Sequence, residues 1–298
     1  MKKVEVLWSG GFDSTFMVVN YLMQGYTVKP YYILFDRDWH QREINTLKKL
    51  SDVISSCEII SGKLLPFTVV PKSSLKVVKK IEDAWEKFKG EPYYAAKQYV
   101  YFSFFAQEHP GIAIGQERYY SEPGHTTRLM YEKGHMKFTK DGVGYFSVKD
   151  CHPLVYALYG KSVYPVCLLT NRMMMDKFKE WGLEKIAFMT LSCHYPISGE
   201  PCGVCDPCIT KIRQHMDELF PVSSLNRGFV YNYLEQLHAS FHGKELNYLF
   251  RFYVTDREGF LKGKNPHLVD FSADELLLLT KKFDELIVNP IKIYDGRK

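Results

Sequence analysis

The chain has 298 residues, 46% hydrophobic and 15% aromatic, with a formal charge of +5 from 39 basic and 34 acidic side chains. So much apolar surface excludes a chain disordered throughout, and no run of roughly 18 apolar residues offers a membrane-spanning helix. The charge excess is not gathered in a tail, since 13 basic and 12 acidic residues lie between Ile209 and Lys298. A solvated mixed surface is therefore expected. Behind Lys2 and Lys3 the apolar run Val4–Trp8 is too short for a secretory core, so a cytoplasmic protein with no membrane partner is expected.

The opening reads strand, turn, helix: Val4–Trp8, then Ser9-Gly10-Gly11-Phe12-Asp13-Ser14, then a helix from about Asp13 to Met23 that stops near Gly25. Val28–Phe35 is nearly continuous in apolar character, as a buried parallel strand is. Ile44, Leu47, Leu50, Val53 and Ile54 fall at helical spacing, as do Leu75, Val78, Ile81, Trp85 and Phe88. An aromatic-rich helix is expected from about Tyr93 to Gln107, broken by His109-Pro110-Gly111, and a third buried strand at Ile112–Ile114. The stretch 116–150 is glycine-rich, with Met136–Phe138 and Tyr145–Val148 flanking Asp141-Gly142, so a β-hairpin inserted above the sheet is expected. Thr170 suits the N-cap of a helix from Asn171 to Trp181, with Gly182 past its end. Ile186–Leu191 is expected to be a fourth strand. Helices are expected at Ile209–Leu219 and Phe229–Ala239, and Ser272-Ala273-Asp274-Glu275 reads as a capping box. Strand–helix alternation of this kind gives an α/β fold, a Rossmann-like parallel sheet with flanking helices, here followed by a helical C-terminal extension.

The hexapeptide after the first strand carries the clearest chemistry. Gly10 and Gly11 let the backbone approach a ligand and turn its N–H groups towards it. The helix start adds unpaired amides and the positive end of a dipole. Ser9, Ser14 and Thr15 offer hydroxyls to phosphate oxygens. Asp13 would repel a phosphate, and makes sense if Mg²⁺ sits between them. Gly160-Lys161-Ser162 is not a Walker A end, because Val155 stands where that motif needs glycine.

Of seven cysteines, Cys193, Cys202, Cys205 and Cys208 are clustered with gaps of eight, two and two residues. In a reducing compartment such a cluster reads as a metal site. Four thiolates suit tetrahedral zinc and fill its shell, so a structural site is expected; the same ligands also suit an iron–sulfur cluster. Cys151 and Cys167 lack a C-x-x-C partner and read as small core residues rather than nucleophiles. His125, His135, Tyr119 and Tyr120 lie in the inserted region, where contact with a substrate is the alternative to ordinary surface positions.

Ser9-Gly10-Gly11-Phe12-Asp13-Ser14 resembles the signature of the PP-loop (N-type) ATP pyrophosphatases, whose fold is of the adenine nucleotide alpha hydrolase type. Leu191-Ser192-Cys193-His194-Tyr195 with Cys202-Gly203-Val204-Cys205-Asp206-Pro207-Cys208 resembles the zinc segment of 7-cyano-7-deazaguanine synthases. Asp38-Trp39-His40-Gln41-Arg42-Glu43 is similar to that family's Tyr-Gly-Gln-Arg-His segment. The resemblance spans roughly residues 4 to 215. It departs at Gly115–Gly124, where the family has an Asp-Tyr-Ser-Gly-Tyr-Pro-Asp-type segment that helps hold the base. It departs again at Leu169-Thr170-Asn171, where the family has Leu-Thr-Lys; Arg118 and Arg172 are candidate substitutes for that lysine. The chain also runs roughly 90 residues beyond the zinc segment.

The resemblance implies an AMP-forming, ATP-dependent carbon–nitrogen ligase that adenylates the carboxylate of a 7-deazapurine, as in queuosine biosynthesis, for attack by ammonia or another amine. The product is an amide or nitrile, or a conjugate with a protein or nucleic-acid acceptor, and paralogues of the family are associated with phage defence. It implies ATP and Mg²⁺ at Ser9, Gly10, Gly11, Phe12, Asp13, Ser14 and Thr15, with Asp13 and Ser14 catalytic, and Zn²⁺ at Cys193, Cys202, Cys205 and Cys208. The expected organisation is an ATP-binding α/β domain over 1–192, a zinc segment over 193–215 and a helical extension over 216–298; a homodimer is allowed. The alternative from another class is a nucleotide-sensing or nucleic-acid-binding module without turnover, against which the acid at Asp13 stands.

Overall fold

The computed structural model describes residues 2–35, 40–90, 92–93, 95–118, 126–190, 193–238, 240–241, 243–264, 268 and 270–288. The chain divides into two compact units, Met1–Leu191 and Ser192–Lys298.

In the first unit, β1 (Lys3–Leu7) leads into α1 (Phe12–Met23), and β2 (Thr27–Leu34) into α2 (His40–Ser55). Two short strands, β3 (Lys63–Leu64) and β4 (Thr68–Pro71), precede α3 (Lys79–Phe88), α4 (Gln98–Glu108) and β5 (Ile112–Ile114). Then come α5 (Thr126–Glu132), the hairpin strands β6 (Lys137–Phe138) and β7 (Gly144–Tyr145), α6 (Pro153–Tyr159), β8 (Ser162–Val163), α7 (Asn171–Glu180) and α8 (Glu184–Phe188). The sheet order is β3–β2–β1–β5–β8, with β4 on the edge of β2 that also carries β3, and every pair in it is parallel.

Parallel strands with crossover helices are buried on both faces, and the alternation along β2 shows it. Tyr31 and Ile33 join a core with Ile81, Phe88, Phe104 and Leu158 of α3, α4 and α6. Tyr32, one residue out of step, turns to the other face and donates its hydroxyl to Glu43 of α2. On that face Phe178 of α7 meets Phe12 and Phe16 of α1 edge-on at 5.8 and 5.3 Å, and Trp181 stacks on Phe16 at 5.6 Å.

The chain moves from β1 outward through β2 to β3 and β4, then crosses to β5 and β8 on the other side. The carboxyl ends of β1 and β5 therefore flank a topological switch point, the crevice where open α/β sheets bind ligands.

A hairpin forms about Asp141-Gly142, with Lys137 opposite Tyr145 and Phe138 opposite Gly144 and Gly142 at φ 78° in its turn; its strands are two residues each, and Phe146–Val148 lies outside them. Gly144 also bridges Tyr164, tying the hairpin to the chain just past β8. The expected fourth strand at Ile186–Leu191 is corrected. Ile186 and Ala187 are the buried face of the five-residue helix α8, and Leu191 lies outside the described residues. The strand next to β5 is the shorter β8, paired through Ile112 with Ser162 and Ala113 with Val163. A short apolar run has no periodicity to separate a strand from one buried helical turn.

The second unit holds α9 (Asp206–Arg213), α10 (Val222–Gln236), β9 (Ser240–Phe241), β10 (Lys244–Glu245), α11 (Leu246–Thr255), α12 (Arg257–Leu261) and α13 (Ala273–Val288). Its core joins Val230, Leu234, Phe250, Tyr253, Phe260 and Phe283 to the four clustered cysteines. The capping box is made: Ser272 N–H donates to Glu275 Oε2 at 2.8 Å, and Glu275 N–H to Ser272 Oγ at 3.3 Å. No helix of the described residues is long and apolar enough to cross a membrane.

Candidate functional site

The loop between β1 and α1 is set by its own side chains. Trp8 is buried, and its indole Nε1 donates to Thr15 Oγ1 at 3.0 Å, which pins the two ends of the loop together. Gly10 has φ 75°, a left-handed conformation that costs L side chains energy. Ser9 Oγ accepts from Gly11 N–H at 3.3 Å, Ser14 Oγ accepts from Ser9 N–H at 3.3 Å, and Ser14 donates to Gly11 O at 3.2 Å. Gly11 stands at the cap of α1, where glycine offers the first-turn amides no side-chain acceptor. Asp13 lies in that first turn.

The seven residues expected to hold nucleotide thus divide by orientation. Ser9, Gly10, Gly11, Asp13 and Ser14 build the loop and the start of α1. Phe12 and Thr15 turn into the core, Phe12 against Phe178 and Thr15 under Trp8.

Facing this loop is the segment after β5, which begins the Gly115–Gly124 stretch singled out above as a departure. A Cβ on Gly115 would fall 2.7 Å from Ser14 Cα and 2.8 Å from Ser14 N. Only glycine allows that approach of two backbones. Gln116 and Glu117 follow, both buried. The Tyr99 hydroxyl donates to Gln116 Oε1, and Gln116 Nε2 donates to Thr127 Oγ1 at 3.1 Å. Glu117 accepts from Asn171 Nδ2, and Arg118 N–H donates to Leu169 O at 2.8 Å. Thr170 caps α7 as expected, accepting from Met173 N–H at 3.2 Å.

Desolvation raises the pKa of the Tyr99 hydroxyl, and the charges of Asp13 and Glu117 raise it further. The phenol therefore stays protonated, as its bond to Gln116 requires of a donor. The structure brings Asp13, Ser14, Gly115, Glu117 and Asn171 together. Of the two candidate substitutes for the family's lysine, Arg172 is held by Asp176 one turn along α7 at 2.6 Å. Asp38, Trp39, Tyr119, Tyr120 and His125 lie outside the described residues.

In the second unit the sulfurs of Cys193, Cys202, Cys205 and Cys208 all lie within 4.8 Å of one another, and all four residues are buried. Backbone amides point at the sulfurs: Cys202 N–H to Cys193 Sγ at 3.1 Å, Cys205 N–H to Cys202 Sγ at 3.3 Å, and Val204 N–H to Cys202 Sγ at 3.4 Å. Such bonds favour thiolates. The thiols share their protons accordingly. A hydrogen bond with Cys202 lowers the pKa of Cys193, one with Cys193 lowers that of Cys205, and bonds to Cys193, Cys202 and Cys205 raise that of Cys208. This donor set could bind one metal ion such as zinc, and it is the one cluster of its kind among the described residues. Cys151 and Cys167 are buried, and burial pushes each thiol up to about 11, as befits core residues rather than nucleophiles.

No protein-family model and no curated protein sequence matches the chain. Among solved structures, one described as a predicted subunit of tRNA methyltransferase from Methanocaldococcus jannaschii is similar, at 17% identity and a TM-score of 0.33 over 60% of this chain and 75% of that one.

Proposed function

We propose that the first unit binds ATP at the Ser9–Ser14 loop and cleaves it between the α and β phosphates to activate a carboxylate. The observation that carries this reading is the meeting of the loop, at the start of α1, with Gly115–Glu117 at the switch point of a parallel sheet. Amides at the helix start attract the phosphates, while Gly10 gives the loop its left-handed turn against α2 and Gly115 lets the end of β5 come against Ser14. Ser9 and Ser14 hold the loop ready by bonding to each other. Asp13 would hold Mg²⁺, which offsets phosphate charge when bound. The carboxylate oxygen bonds to the α-phosphorus as pyrophosphate departs; a nitrogen nucleophile then bonds to the acyl carbon, and AMP departs.

The carboxylated substrate is a 7-deazapurine in this reading, as the resemblance implies, with ammonia or another amine as nucleophile. The acceptor side is where this chain differs from the resembling family, in Glu117 and Asn171. The four cysteines hold a structural Zn²⁺, because four thiolates leave that ion no open position. Incubation with Mg-ATP, 7-carboxy-7-deazaguanine and ammonia, read by mass spectrometry, tests the substrate class. Formation of the amide or nitrile is the expected result. AMP formed at the same rate with and without the deazapurine, and with neither product, would exclude that substrate.

A further inference from the structure

The cysteine loop is held by α10, which belongs to the part of the chain beyond the zinc-like segment. Three residues on one face of this helix, at spacings of three and four, meet the loop backbone. Ser224 donates its hydroxyl to Pro201 O at 2.5 Å. Arg227 Nε donates to Cys202 O at 2.7 Å, and its Nη2 donates to Pro201 O at 3.2 Å and to Ser224 Oγ at 3.1 Å. Gly228 lets the helix pass the loop, since a Cβ there would lie 3.0 Å from Gly203 O. A Cβ on Gly203, at φ 83°, would in turn fall 2.1 Å from Ser224 O.

The electrostatics point the same way. Four thiolates around one divalent cation leave a net charge of −2 in a buried place, and buried charge needs a partner. The Arg227 hydrogen bonds go to neutral oxygens, two of them carbonyls in the cysteine loop. Arg251 is the nearby contrast: its guanidinium is engaged by the Asp206 carboxylate at 2.7 Å.

We propose that Arg227 is a positioning residue for the four-cysteine metal site: its guanidinium fixes the Pro201 and Cys202 carbonyls and sets its charge against the metal–thiolate centre. This rests on the reading of the cysteines as a metal site. It makes the C-terminal helices a working part of that site rather than an appendage.

The test uses the full chain, its zinc content, its affinity for zinc by chelator competition, and the visible spectrum of the cobalt-substituted protein. The native chain is expected to hold one zinc and to show the intense bands of a tetrahedral thiolate cobalt site. Arg227→Gln is expected to weaken zinc binding by about 10- to 100-fold, the usual cost of losing a partner behind the ligands. Arg227→Lys keeps the charge but not the fork and should weaken it less. Arg213→Gln removes another guanidinium of the same unit, bonded to Asn232 and Glu235, and should leave zinc affinity unchanged. Equal affinity in the native and Gln chains would overturn the inference, as would equal weakening by Arg213→Gln. If the Gln chain does not fold, the Lys chain decides: several-fold weakening supports the proposal and native affinity overturns it. A native chain that takes up neither zinc nor cobalt would overturn the metal reading as well.

Discussion

Gly115 shows how much one missing methyl group can decide. Its backbone sits against Ser14, where a Cβ would meet main-chain atoms at 2.7 and 2.8 Å. Main chain cannot swing aside as a side chain can. Gly115→Ala is therefore expected to push the loop and β5 apart, at a cost of about 1–3 kcal/mol in stability, and to lower ATP turnover at least tenfold. Thermal melting and pyrophosphate release measure the two effects; native values for both would mean that the segments do not meet. At the cysteines, Cys205→Ser should destabilise the second unit strongly, since structural zinc contributes on the order of 10 kcal/mol in small zinc domains. Unchanged melting and metal content would remove the site. At this scale the gathering of the four cysteines was legible in their spacing, and the turn from β1 into α1 in its glycines. Glu117 and Asn171 were marked only as places where the chain departs from the resembling family, their bond to each other was not legible, and Arg227 was not marked at all. Each is an ordinary surface type whose meaning comes from a partner 54 or 25 positions away.

Among the elements, those with strong periodic patterns or caps were readable to within a few residues. The helix after Thr170 and the one after Ser272 begin where their caps stand, because a cap is a local hydrogen bond independent of the rest of the fold. Thr170→Ala is expected to cost about 1 kcal/mol, seen as a lowered denaturation midpoint at constant slope; no shift would show that the bond to Met173 contributes nothing. Short edge strands with no pattern of their own were not readable. β3, β4 and β8 have two to four residues each, and are strands only because β2 and β5 offer them edges. The run Ile186–Leu191 failed for the converse reason. Ile186 and Ala187 are buried where α8 packs on α7, α1 and α2, not by pairing with a strand. Phe178, wedged between Phe12 and Phe16, links α7 to α1; Phe178→Ala should cost about 3–5 kcal/mol.

For the whole molecule, the division at residue 191 separates two hydrophobic cores of different origin. The first is built by a parallel sheet and its helices. The second is built partly by the cysteines themselves, so with the proposed zinc bound its stability would include the free energy of metal binding. Removing the metal with a chelator is thus expected to speed amide hydrogen exchange across α9, α10 and the cysteine loop while β1, β2 and β5 keep their protection. Uniform deprotection of both units would contradict separate stabilisation. Because thiolates must be deprotonated to bind metal, the same segments should lose protection as pH falls. The α/β class was legible from the alternating patterns at the start of the chain. The joining of the cysteine segment to the C-terminal helices was not, because it is made by close backbone contacts at Gly203 and by apolar residues as distant in the chain as Phe250 and Phe283.

In the proposed reaction the loop after β1 splits ATP between its α and β phosphates. The most direct measurement is the product pattern from Mg-ATP with the native chain and with Asp13→Ala, separated by chromatography in the presence of the carboxylate substrate. AMP and pyrophosphate in equal amounts from the native chain, with neither from a folded Asp13→Ala chain, is the predicted result. ADP and phosphate as products, or undiminished AMP from the Asp13→Ala chain, would contradict it.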